Sequence, residues 1–573
     1  MSVLDEVPNL KNKSIPELKQ LCDELRSKII DTVMKNGGHL SSNLGMVELT
    51  VALHYVFDFP RDKIIYDVGH QCYTHKLLTG RWQKFSTLRK LGGISGFPKR
   101  EESVYDCYNT GHAGTSISAA LGIAKARDIR GENFNVIAVI GDGSFNNGLV
   151  YEAFNSVSEI NSNILIIIND NHMSISPTVG SMHEYLEELS SESEGNAKKK
   201  RHETIFERFG LSYDGVYDGN DLALMIDKLT CVKQKLRERS VILHVATKKG
   251  KGYLYCEENP QETHGISATN GAVEYSSVLG ETLISMARGD DRIVAVTAAM
   301  TPGVGLSEFF TEFPERSIDV GICESHGAVV CAGLAVEGMR PYYAVYSTFL
   351  QRAFDQIVVD ICSQNLPVVM CIDRAGISGS DGETHQGEFD LSFLSLIPNL
   401  TIAVPKDINE FRKMLLLSSA FSGPLAIRYP KDGYNAFKGS SFEIGKWEIM
   451  CDGNDCAIIA CGERMITLAL AAAGHCAERG VSCCVVNARF VKPLDTEVLE
   501  GLKQDLIVTL EDNALIGGFG SLIDCYYSET RKQIKNFAYP DEFIPHGSVG
   551  ELISKYGISV DKVSEYILKN ANR

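Results

Sequence analysis

The chain lacks any apolar run long enough to cross a bilayer; NVIAVI, ILIII and LPVVMCI are each a fraction of a membrane span. The opening MSVLDEVPNLKNKSIPELKQ has no basic stretch leading into an apolar one, so no secretory leader is expected. Cysteine pairing is missing as well. The 16 cysteines include no C-x-x-C pair and no zinc-finger spacing. They read as reduced, mostly buried thiols of a cytoplasmic protein rather than a structural zinc site. Cations are in deficit: Lys+Arg total 56 against 73 Asp+Glu, a net charge of −17. Such a surface repels nucleic acid and anionic membranes, so neither is expected as a partner. The one basic run, KKKRH at 198–202, follows the acidic EELSSESEGNA and reads as an exposed mobile loop rather than a binding patch. No phosphate loop of the G-x-x-x-x-G-K-[ST] type occurs, and the dinucleotide pattern fails because Asn146 stands where its third glycine belongs. There is no repeat of solenoid period.

What the chain does have is alternation. FNVIAVI, NILIIIND, SVILHVAT, RIVAVTAA, RPYYAVYS, LPVVMCID, LTIAVP, CAIIACG, VSCCVVNAR and LIVTLED read as strands buried on both faces. Amphipathic stretches lie between them; ITLALAAAGHCAERG ends on the glycine expected just past a helix C-terminus. This predicts an α/β fold of three consecutive domains with mainly parallel sheets flanked by helices. Seams at HGISATNGAVEYSS and PKDGYNAFKGSSFEIGKWEIM divide the chain into 1–265, 275–435 and 445–573.

The stretch GDGSFNNG at 141–148 is the most informative. It closes an apolar run with an aspartate between two glycines, and the next apolar run ends in NDN at 169–171. Ligands of parallel α/β sheets bind beyond the carboxyl ends of the strands. A carboxylate and an amide at two such ends suit a hard cation that also takes phosphate oxygens. Asp142, Asn171 and the carbonyl of Met173 are the candidate magnesium ligands. The glycines allow close approach, and the following helix is expected to aim free N–H groups at an anion.

GDG with NDN resembles the thiamine diphosphate motif. GHLSSNLGMVELTVALHYVFDFPRDKIIYDVGHQCYTHKLLTGR and YSTFLQRAFDQIVVDICSQNLPVVMCIDRAGISGSDGETHQGEFDLS narrow it. Together they resemble the 1-deoxy-D-xylulose-5-phosphate synthase family of the transketolase-like group, from about residue 16 to VTLEDNALIGGFGS. The resemblance implies a transferase that joins pyruvate to glyceraldehyde 3-phosphate with loss of carbon dioxide, using thiamine diphosphate and Mg2+. Its product serves isoprenoid, thiamine and pyridoxal synthesis, and a cytoplasmic homodimer is implied. The first segment would hold the diphosphate and metal, and the second the pyrimidine. The third would be the transketolase C-terminal-like domain, without cofactor contacts.

Residue by residue, the resemblance gives Glu324 the bond to the pyrimidine ring nitrogen and Phe349 the stack on that ring. Without the family, Glu324 reads as a solvated turn residue and Phe349 as core. His70, Gly111, His112, Ala113, Gly143, Ser144 and Tyr253 match further cofactor positions, the small residues at 111–118 offering N–H groups to phosphate. Tyr346, Arg374 and Arg428 match the set that anchors the substrate phosphate, guanidinium forks being suited to that group. Arg352 and Asp381 lie near the site in the family, Arg352 reading equally well as an ion-pair partner of an acidic neighbour. His39, His264 and His385 match active-site histidines, able to give and take protons near neutral pH.

The chain departs from the family at Ser325 and Gly327, beside Glu324, at Asn43 where glycine is usual, and at Asn220 where histidine is usual. GHAG also stands where a serine pair is common, and the segment after NDNHMSIS is shorter than usual. Two other readings stay open: a different thiamine enzyme, either a transketolase or a dehydrogenase component with a lipoyl partner, and a non-enzymatic scaffold. Intact Asp142, Asn171 and Glu324 argue against the second of these.

Overall fold

A computed structural model describes residues 9–173, 179–194, 203–266, 273–433, 436–437 and 442–571. The basic run at 198–202 lies outside the described residues. The chain forms two compact units: Met1–Thr269 with Gly321–Cys323, and Asn270–Val320 with Glu324–Arg573.

The first unit is built on a five-stranded, wholly parallel sheet. Its strands are β1 (Lys63–Tyr66), β2 (Val136–Gly141), β3 (Leu165–Asp170), β4 (Ser212–Asp218) and β5 (Val241–Ala246), in the order β1-β2-β3-β5-β4. β2 and β3 are buried on both faces, which is why their sequence is a continuous apolar run. Helix Ile15–Asn36 starts on a capping box in which the Ser14 amide donates to the Glu17 carboxylate at 2.8 Å. It stops at Gly37, where φ is +75° and an added Cβ would lie 2.7 Å from the Ile266 carbonyl oxygen. That close approach lets Gly38 bridge Ile266 through two backbone bonds, drawing the loops of His39 and His264 together.

The second unit carries a seven-stranded sheet in the spatial order Phe490–Lys492, Thr401–Ala403, Leu425–Arg428, Val369–Asp373, Arg340–Tyr346, Ile293–Thr297, Ser317–Asp319. All neighbours are parallel except the first pair. A five-stranded sheet, Glu448–Cys451, Cys483–Asn487, Cys456–Ala460, Leu506–Ala514, Gln533–Tyr539, is parallel apart from its first strand. The antiparallel strand Phe490–Lys492 comes from the third sequence segment and completes the sheet of the second. Trp447, Phe490 and Val491 accordingly share one buried core with Ile402 and Leu425. The stretch expected to link the segments also contains structure: Asp432–Gly433 pairs with Val273–Glu274. Helix Glu463–Ala477 matches the amphipathic pattern, with Gly480 beyond it at φ +79°.

Candidate active site

In the first unit, Gly141 of β2 pairs in register with Asn169 of β3, so Asp142 and Asn171 follow the carboxyl ends of neighbouring strands. Asp142 is 2% exposed. Asn171 Oδ1 is buried with no hydrogen-bond partner. The helix expected after GDG is different in detail. Asp142–Phe145 is a single turn, and the long helix Gly148–Ile160 begins later, capped by Asn147, whose Oδ1 accepts from the Leu149 amide at 3.1 Å. Its N-terminus therefore already has a partner of its own. The 111–118 loop also differs: the carboxylate of Asp67 accepts from the Gly114 and Ser116 amides at 2.8 and 3.0 Å. Two of the N–H groups expected to face a phosphate thus hold the loop instead.

Three of the histidines expected at the site come together. Ring centroids are 5.2 Å apart for His39 and His70, 5.5 Å for His39 and His264, and 5.4 Å for His70 and His264. Burial, with Lys249, His70 and His39 adding to it, holds the His264 pKa well below its usual value. Lys249 is not singled out by the sequence. It is 6% exposed, and burial pushes its pKa down to about 8 against the opposing pull of Asp142. Tyr253 follows on the same segment, at the N-cap of a short helix.

The departures acquire reasons here. Asn43 is fully buried; its Nδ2 donates to the carbonyls of both His39 and His70 at 2.7 Å, and its Oδ1 accepts from the Tyr73 amide at 2.8 Å. A glycine could make none of these bonds. Asn220 Nδ2 donates to the Gly45 carbonyl at 3.0 Å, and its Oδ1 accepts from the Lys248 amide at 2.8 Å.

In the second unit, Glu324 opens the helix Glu324–Val336. It is 3% exposed and its Oε2 is buried without a partner. Burial raises its pKa, with the positive charge of Arg352 pulling the other way. The acidic neighbour that the sequence allowed for Arg352 is thus Glu324. Ser325 Oγ donates to the Arg352 carbonyl at 2.9 Å, and Tyr343 donates to the Glu324 carbonyl at 2.9 Å. Gly327 makes room for that tyrosine, since a Cβ there would lie 3.0 Å from its ring.

Phe349 is stacked with Tyr346 at 5.7 Å and meets His385 edge-on at 5.6 Å. Arg374 lies over Tyr346, its guanidinium carbon 4.0 Å from the ring centroid. It follows strand Val369–Asp373 at φ +55°, and its Nε is buried with no partner. Asp381 is close enough for its charge to bear on Arg374. Arg428 is arranged otherwise. It is 3% exposed; Nε donates to both oxygens of Asp390 at 2.8 and 2.9 Å, and another nitrogen donates to the Asp512 carbonyl at 2.6 Å. These internal acceptors occupy much of a guanidinium that the sequence assigned wholly to substrate phosphate, because Asp390 places a carboxylate directly beside it.

Two parallel sheets, the first with Asp142 and Asn171 and the second with Arg374 just past strand carboxyl ends, and the second with an antiparallel edge strand, constitute a transketolase-like fold. The corresponding family profiles, the transketolase pyrimidine binding domain and the transketolase C-terminal domain, match residues 271–436 and 445–563. Residues 1–204 match the profile described as 1-deoxy-D-xylulose-5-phosphate synthase. Proteins of that name from Clostridium tetani and Clostridium acetobutylicum are 45% and 44% identical to this chain, each over 98% of both sequences. The chain belongs to the 1-deoxy-D-xylulose-5-phosphate synthase family, and membership implies thiamine diphosphate as cofactor. Among solved structures, the transketolase of Campylobacter jejuni is 18% identical over 97% of this chain and 100% of its own, with a TM-score of 0.45.

Proposed function

We propose that the chain joins pyruvate to glyceraldehyde 3-phosphate, releasing carbon dioxide, on thiamine diphosphate held through Mg2+. When bound, the cofactor supplies the electron sink for the pair left as the pyruvate carboxylate departs. Asp142, Asn171 and the Met173 carbonyl hold the metal; Gly111, His112, Ala113, Gly143, Ser144, His70 and Tyr253 hold the diphosphate end. Lys249 adds a buried positive charge there. Glu324 would donate a hydrogen bond to the pyrimidine nitrogen of the bound cofactor, and Phe349 would pack on its ring. Burial favours the protonated Glu324 carboxyl, the form that donates a hydrogen bond to a ring nitrogen. His39 and His264 of the first unit and His385 of the second move protons on the acceptor, and Arg352 and Asp381 of the second unit bind substrate. Arg374, over Tyr346, takes the phosphate, and Arg428 stands behind it as a buried support.

The observation that carries this reading is the pair of orphaned oxygens, Asn171 Oδ1 and Glu324 Oε2. A buried acceptor without a partner costs roughly 1–3 kcal/mol, so two of them at family cofactor positions are best explained by a ligand. The 16 free cysteines support the cytoplasm as compartment, and family membership supports a homodimer. The test is calorimetric titration with thiamine diphosphate. Binding should require Mg2+ and vanish in Asp142→Ala while the circular dichroism spectrum is kept. Undiminished binding without divalent metal would overturn the metal assignment.

A further inference from the structure

The loop leaving β3 carries a cluster that the thiamine chemistry leaves unused. His172 lies between Asn171 and Met173 and adopts φ +60°, a left-handed conformation uncommon outside glycine. His172 Nδ1 is 3.8 Å from Glu187 Oε1, and His183 Nε2 is 3.4 Å from the same oxygen. Among the described residues, these three form the one group of potential metal ligands whose donor atoms all lie within 4.8 Å of one another. His183 and Glu187 are one turn apart on helix Ser181–Glu194, so the helix itself keeps them on one face. Asp170 anchors the third member: its Oδ1 accepts from the His172 amide at 3.1 Å and lies 3.5 Å from Nδ1.

The donor spacing and chemistry select a class of ion. A tetrahedral zinc site with bonds of about 2.0–2.1 Å holds its donors about 3.3–3.4 Å apart. The observed 3.4 and 3.8 Å separations reach that with small side-chain movements. Two imidazoles and one carboxylate suit zinc, cobalt or nickel, whereas magnesium takes oxygen donors.

We infer that His172, His183 and Glu187 form a binding site for a borderline divalent metal of the zinc class, distinct from the hard-cation position at Asp142. Three protein ligands leave one position for water or an exogenous anion. A bound ion ties the segment carrying Asn171 and Met173 to helix Ser181–Glu194. That last consequence, unlike the binding itself, rests on the cofactor reading given above.

The test titrates the holoenzyme with Co2+ in excess Mg2+ and thiamine diphosphate, following visible absorption, with Zn2+ as competitor. One equivalent should give an intense low-symmetry spectrum that Zn2+ abolishes and Mg2+ does not. His172→Ala and Glu187→Gln alter side chains 47% and 51% exposed, so the fold should tolerate both. Each should weaken binding by more than the roughly 10- to 100-fold typical of losing an outer-shell partner. Asp142→Ala should leave Co2+ binding intact, which separates failure of this site from failure of the cofactor assignment. No absorbance at micromolar Co2+, or unchanged affinity in both variants, would overturn the site. If Zn2+ does not slow cofactor loss on dilution, the tethering consequence falls while the site stands.

Discussion

Replacing Arg374 by alanine separates phosphate recognition from support of the fold. Among the described residues Arg374 is in no ion pair, although the charges of Asp373 and Asp381 bear on it; its guanidinium lies on the Tyr346 ring and its Nε has no partner. If it grips the acceptor's phosphate, truncation removes a charge-assisted bond worth about 1.5–3 kcal/mol. That is a loss of about 10- to 150-fold in kcat/KM for glyceraldehyde 3-phosphate. Unphosphorylated glyceraldehyde never makes the contact, so its poor use should hardly change. Arg428→Ala is the contrasting case, since it leaves the buried carboxylate of Asp390 without its cation. Breaking such a pair costs about 3–5 kcal/mol of stability, and the loss should fall on both aldehydes alike, as less folded enzyme. The assay is product formed per folded enzyme with each aldehyde, folded enzyme being measured by near-ultraviolet circular dichroism. An equal loss on both aldehydes in Arg374→Ala would refute the phosphate role.

Two further substitutions test the surroundings of the site. Asn43→Ala removes three buried hydrogen bonds, and the denaturation midpoint should report a loss of about 3 kcal/mol; an unchanged midpoint would mean that other groups hold the His39 and His70 loops. Glu388 is fully buried with neither carboxyl oxygen partnered, and burial, aided by Asp512 and Asp390, pushes its pKa from 4.5 up to about 8. Across that window the folded chain keeps a proton that the unfolded chain has lost, so this group's contribution to stability falls as pH rises. Glu388→Gln should therefore raise Tm more at pH 8 than at pH 5, and an equal change at both would contradict the buried-carboxyl account.

The strands that could be read from the sequence are those buried on both faces, such as Val136–Gly141 and Leu165–Asp170, where no polar alternation interrupts the run. Ser212–Asp218 is half-exposed and Phe490–Lys492 has only three residues, so neither has enough pattern to stand out. The latter exists because Ile402 and Ala403 offer it an edge, which is a tertiary fact. At the site, Asp142 was conspicuous as a carboxylate ending an apolar run. Asp67 and Lys249 are not conspicuous, because their burial comes from loops distant in sequence; Asn43 stands out only as a departure from the family, its bonds to the loops of His39 and His70 being visible only in the fold. Arg428 shows the converse: its residue type suits phosphate, but only the fold reveals Asp390 beside it.

The central claim is that Glu324, buried and with its Oε2 unpartnered, works on a bound thiamine cofactor to drive decarboxylating condensation. The most direct test measures 1-deoxy-D-xylulose 5-phosphate and carbon dioxide from pyruvate and glyceraldehyde 3-phosphate, in the native chain and in Glu324→Ala. Thiamine diphosphate binding is determined on the same samples. The native chain should form both products in equal amounts, and Glu324→Ala should keep most of its cofactor affinity while forming neither. Turnover in Glu324→Ala within a few-fold of the native chain would contradict the account.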